Sequence, residues 1–146
     1  MKRTLLVLAL LLIAATVAAQ ETNVKFTGYD IALIKLSQPY QTRTAAGEMV
    51  TYEQAYLVRV KGEFPLNGAR LMELYIGEER IAEYGGYPGG LYFLLFTKDQ
   101  LDKLAGRTIG YRLDHDGPIV RTAHVFTPAL FKLDKPLSEK KALTRK

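Results

Sequence analysis

The chain has 146 residues, with 20 lysines and arginines against 15 aspartates and glutamates, and contains neither cysteine nor tryptophan. A chain without cysteine excludes a disulfide scaffold, a thiol nucleophile and a cysteine-ligated zinc site, so apolar burial has to carry its stability. The formal charge of +5 is uneven: Lys2 and Arg3 open the chain, residues 132–146 carry +4, and the segment between is −1, which excludes a basic nucleic-acid-binding body.

Lys2 and Arg3 precede a thirteen-residue run, Leu5 to Val17, that is apolar except for Thr16 and leads into Ala18-Ala19 before Gln20. This is the three-part layout of a secretory signal peptide. A spanning helix would need about 20 apolar residues. Residues 1–19 are therefore expected to be removed, leaving 127 residues in the periplasm or the extracellular space, enough for one domain with one core.

Strand signals dominate the mature chain. Val24, Phe26 and the run Ile31 to Leu36 give a first strand region, interrupted near Gly28 where a bulge is expected. The stretch Ser37 to Glu48, with Pro39 and Gly47, reads as a loop long enough to cross between two sheets. Val50, Tyr52, Tyr56, Val58 and Val60 then share one parity, the pattern of a strand with a single buried face. Met72, Leu74 and Ile76 form the next stripe, and Gly77-Glu78 marks a hairpin turn into Arg80 to Tyr84. Leu91 to Phe96 is apolar on both parities, as in a strand covered on both faces.

Thr97 and Gln100 make a capping box, Leu101 and Leu104 are three apart, and Gly106 stands where a helix would end. Ile109, Tyr111 and Leu113 alternate again, Asp114-His115-Asp116-Gly117 turns the chain, and Ile119 to Phe126 returns. The expected fold is all-β: an antiparallel immunoglobulin-like β-sandwich of about seven strands over residues 20–131, with one short helical turn near 98–105. A closed barrel is the second architecture. Residues 132–146, basic and interrupted by Pro136, are expected to be a solvated, disordered tail, with at most peripheral contact to an anionic membrane surface.

The order Val58-Arg59-Val60-Lys61-Gly62-Glu63-Phe64, Glu73-Leu74-Tyr75-Ile76-Gly77, Leu91-Tyr92-Phe93 and Leu104-Ala105-Gly106 before Tyr111 resembles the immunoglobulin-like IPT/TIG domains over about Tyr56 to Phe126. The resemblance implies a β-sandwich used for binding or as a spacer in extracellular assemblies, with no catalytic residues to carry over.

Nucleophilic catalysis needs a Ser, Thr or Cys beside a base. Ser37 and Ser138 are the only serines, and no G-x-S-x-G elbow occurs. His115 stands between Asp114 and Asp116, a trio that supports an alternative reading as a small extracytoplasmic metal protein or hydrolase. Aspartate and glycine are also what the turn itself requires. His124 shares a parity with Val120 and Phe126 and reads as a structural or surface histidine. A β-barrel carrier of an apolar ligand is a third reading.

The most unusual patch is Tyr84-Gly85-Gly86-Tyr87-Pro88-Gly89-Gly90-Leu91-Tyr92. Tyrosine joins a flat apolar face to a polar tip, suited to stacking on sugar rings or anchoring an interface. Tyr84, Tyr87 and Tyr92 are the candidate contacts, with Tyr87 expected to be the most exposed. The function expected is a non-enzymatic exported binding or assembly module that engages a protein or polysaccharide of the cell envelope, with no cofactor, metal or nucleic acid.

Overall fold

The computed structural model describes residues 24–64 and 72–144; the expected signal peptide, residues 1–19, lies outside the described residues. A long hairpin opens the fold, β1 (Lys25–Arg43) against β2 (Met49–Glu63). The chain crosses to a second sheet for β3 (Glu73–Ile76) and β4 (Glu79–Ile81) and returns for β5 (Gly85–Tyr87) and β6 (Gly90–Leu95). After α1 (Lys98–Leu104) it crosses again for β7 (Thr108–Arg112) and β8 (Val120–Val125). A 3-10 turn at Pro128–Leu130 then leads to β9 (Leu137–Ser138) and α2 (Glu139–Thr144).

The larger sheet runs β5-β6-β2-β1-β9 and the smaller β4-β3-β7-β8, antiparallel throughout except for the β1–β9 pair. Two sheets with their own edges replace the closed barrel. One apolar core joins them, with Ile31, Val58, Val60, Leu91 and Phe93 from the larger sheet meeting Leu74, Ile76 and Ile109 from the smaller. Phe126 and the α1 residues Leu101 and Leu104 close one side. The capping box of α1 is formed in both directions: Thr97 Oγ1 accepts from the Gln100 N–H at 3.2 Å, and Gln100 Oε1 accepts from the Thr97 N–H at 3.3 Å.

Three expectations are corrected. The stretch Ser37–Glu48 does not cross between sheets, because β1 continues to Arg43 and turns back at once. The Thr44 N–H donates to Glu48 O, and the Gly47 N–H to Thr44 O, each at 2.9 Å. Pro39 is tolerated because it falls in the irregular register between Lys35 and Tyr40, beyond the two-residue contact with β9, where no ladder donor is needed.

Second, β2 has two buried faces. Val58 and Val60 point to the core, while Leu57 at 1% and Arg59 at 7% exposure are covered on the outward side. Third, residues 132–144 are not a solvated, disordered tail. Leu137 and Ser138 pair with Ile34 and Lys35, and Ala142 is buried with Ile34, Ala55 and Leu57. The physical cause is shared: the outward parity of β1, β2 and β6 also carries apolar side chains, and Ala142 and Leu143 cover them. Net charge hid these few apolar residues. The strand total among the described residues is nine, the additions being the short β5 and β9.

Two glycines at positive φ separate conformational from steric need. Gly90 (φ 153°) is buried, and a Cβ there would stand 1.9 Å from Val60 O, whereas Gly106 (φ 77°) has open space around it. Gly106→Ala is expected to cost about 1 kcal/mol through backbone strain alone. Gly90→Ala should cost about 3 kcal/mol or more because β2 and β6 must separate. Urea denaturation of both variants checks the difference.

Candidate functional site

The tyrosine-bordered loop is split by the fold. Tyr84, Tyr87 and Tyr92 are all half-buried, so Tyr87 does not stand out as the exposed tip. The Tyr84 hydroxyl donates to the Met72 carbonyl, and burial raises its phenol above the ordinary value. Burial likewise raises Tyr87, which lies close enough to Arg59 and Asp30 to feel both charges. Tyr92 lies over Gly85, where a Cβ would be 2.7 Å from its ring; glycine there makes room for the aromatic side chain.

Tyr84 and Tyr92 nevertheless share a groove of about 270 Å³ with Tyr40, Glu83, Leu94 and Phe96. Tyr40 is 42% exposed, and its ring stacks on Phe96 with centroids 4.4 Å apart and planes within 10°. Tyr52, the register partner of Tyr40, stacks on the same Phe96 at 5.2 Å. The long hairpin thus supplies a row of aromatic rings beside the glycine loop. Sequence reasoning missed Tyr40 and Tyr52, although they are symmetric about the Thr44–Glu48 turn; reading that turn as a hairpin would have paired them.

The Asp114-His115-Asp116 trio forms a loop between β7 and β8, with the Gly117 N–H donating to Asp114 O at 2.9 Å. His115 Nδ1 lies 3.3 Å from Glu73 Oε1, with a side chain 83% exposed. Among the described residues no group of three His, Cys, Asp or Glu side chains is placed to hold a metal ion. His124 packs its ring against Phe26, with centroids 4.8 Å apart.

Glu73 is the centre of this end of the smaller sheet. Arg112 Nε donates to it at 2.7 Å, the Tyr75 hydroxyl at 2.8 Å and Arg80 at 3.4 Å. Arg112 also lies over the Tyr75 ring, 5.3 Å from its centroid. The hydrogen bond from Arg112, then that from Tyr75, hold the Glu73 carboxyl down at about 2, with a smaller contribution from His115. A carboxylate held ionised in this way orients cations and is unsuited to proton donation near neutrality.

On the larger sheet, Arg59 and Asp30 are cross-strand partners and form a two-pronged pair, Nε–Oδ1 at 2.6 Å and Nη2–Oδ2 at 2.8 Å. Arg59 Nη1 donates to Ala142 O at 2.6 Å, and Lys61 Nζ lies 2.9 Å from Asp30 Oδ2. Burial alone would raise the Asp30 carboxyl, but the hydrogen bonds from Arg59 and Lys61 outweigh it and hold it below the usual range. This network ties α2 to β2. No protein-family model, curated protein or solved structure matches the chain.

Because Glu73 is ionised more readily folded than unfolded, it stabilises the fold above its ordinary value of 4.5, and that contribution is lost as pH falls towards 2. Glu73→Gln is therefore expected to be less stable than the parent above pH 4.5, with the gap closing between pH 4.5 and 2. Denaturant midpoints measured across that range check it, and a gap independent of pH would contradict it.

Proposed function

We propose that this chain is a non-enzymatic, exported immunoglobulin-like module that binds a cell-envelope polysaccharide through the aromatic groove of Tyr40, Tyr84, Tyr92 and Phe96. The strand order supports the fold part of this reading. Taking β1 to β8 as strands A, B, C, C′, D, E, F and G, the larger sheet reads D-E-B-A and the smaller C′-C-F-G, the arrangement of immunoglobulin-like sandwiches. The residues that resemble IPT/TIG domains fall on coherent elements: Val58 to Glu63 on B, Glu73 to Ile76 on C, Leu91 to Phe93 on E, and Leu104 to Gly106 at the E–F corner.

The groove carries the binding part. Flat ring faces offer stacking for the apolar faces of a sugar, while Glu83 and the Tyr40 and Tyr92 hydroxyls offer hydrogen bonds to its hydroxyl groups. Glu73, held ionised by Arg112 and Tyr75, supports the absence of acid–base chemistry in the neighbouring cleft. Lys2, Arg3 and the run Leu5 to Val17 support export, and no helix among the described residues is long and apolar enough to cross a membrane.

Tyr40→Ala and Tyr92→Ala are each expected to weaken co-sedimentation of the mature chain with isolated envelope polysaccharide about tenfold or more, at the scale of lost aromatic contacts. Unchanged sedimentation would contradict the site. Binding lost only towards an envelope protein, read by photocrosslinking from position 40, would replace the polysaccharide with a protein partner.

A further inference from the structure

A second cleft, of about 350 Å³, opens between β1 and the C-terminal segment and is lined by Asp30, Arg59, Lys132, Lys135, Leu137 and Ala142. It exists only because residues 132–144 fold back on the larger sheet, and that folding brings Lys132 and Lys135 from a +4 segment to the mouth of a buried arginine. Three cations face one carboxylate, and that carboxylate is already held by Arg59 and by Lys61. The electrostatic character of the cleft is therefore positive, and Arg59, at 7% exposure, gives it a fixed floor.

We propose that this cleft is an oxyanion site that takes a phosphate group, with Lys132 and Lys135 as its principal contacts. The flat fork of Arg59 is engaged by Asp30, so the side chains left to recognise the ligand are ammonium groups. Ammonium groups act as point charges with freely directed donors, which suits a tetrahedral, multiply charged group better than a planar carboxylate. Lys132 and Lys135 are exposed and reach in from solvent, while Arg59 adds field from below. The site is separate from the aromatic groove and stands whether or not that groove binds sugar. A free phosphate and a phospholipid headgroup present the same chemistry.

The test uses the mature chain and two double variants. Lys132→Ala/Lys135→Ala removes the cleft lysines; Lys25→Ala/Lys103→Ala removes the same charge at exposed positions elsewhere. Inorganic phosphate, titrated against chloride at matched ionic strength, is expected to give saturable amide shifts around Ile31 to Leu33 and Leu137 in the parent and the control. These shifts should vanish in the cleft variant. Phosphatidylglycerol vesicles, compared with phosphatidylcholine vesicles, identify the source: a headgroup ligand predicts binding about thirtyfold weaker in the cleft variant than in the control. Saturable phosphate shifts without vesicle binding assign a soluble phosphate compound. Phosphate shifts that are absent from the parent, or equal in both variants, overturn the proposal.

Discussion

The fold depends on β2 being buried on both faces. Val58 and Val60 enter the shared core, and Leu57 and Arg59, on the opposite parity, are covered by the end of the chain. With no disulfide to restrain the chain, each buried aliphatic side chain contributes about 1.5–3 kcal/mol of the stabilisation available. A strand with only one covered face would leave Leu57, Ile34 and Ala55 against water. The C-terminal segment removes that exposure, and the Arg59–Asp30 pair fixes where it sits. Arg59 is at once the buried charge that must be satisfied and the donor to Ala142 O.

This arrangement divides the outward face of the larger sheet. One part is closed by β9 and α2. The other, from Tyr92 through Leu94 and Phe96 to Tyr40, is left open beside the glycine loop. Rigid strands hold the rings of that open part, and their mutual stacking limits the side-chain entropy that binding would cost. Next to the groove, across Glu83 and Tyr84, Glu73 gathers Arg112, Arg80, Tyr75 and His115 into a network in which the carboxylate is fully engaged. The chemistry of these two adjoining sites differs accordingly: flat apolar surface at one, locked charge at the other.

Much of the architecture was legible because it is local. The bulge near Gly28, the Gly77-Glu78 turn, the capping box at Thr97 and the β7–β8 return each rest on residues adjacent in sequence. What was not legible rests on contacts between distant residues. Tyr84, Tyr87 and Tyr92 are neighbours in sequence, yet of the three only Tyr84 and Tyr92 line the groove, and Tyr40 and Tyr52 reach Phe96 only through the hairpin register. The charge of residues 132–146 concealed Leu137, Ala142 and Leu143, three apolar side chains that outweigh their lysines because an uncovered apolar face was waiting. One signal was visible and pointed there: Arg59 is a lone cation inside the run Leu57-Val58-Arg59-Val60, where a buried partner is required.

The C-terminal segment is part of the fold: it seals β2, fixes Arg59 and shapes the cleft that Lys132 and Lys135 line. Amide hydrogen exchange of the mature chain at neutral pH measures this directly. Protection of about a hundredfold or more is expected through β9 and α2, alongside the slowest exchange at Leu57 to Val60. Exchange of residues 137–144 at free-peptide rates, with β2 still protected, would contradict it.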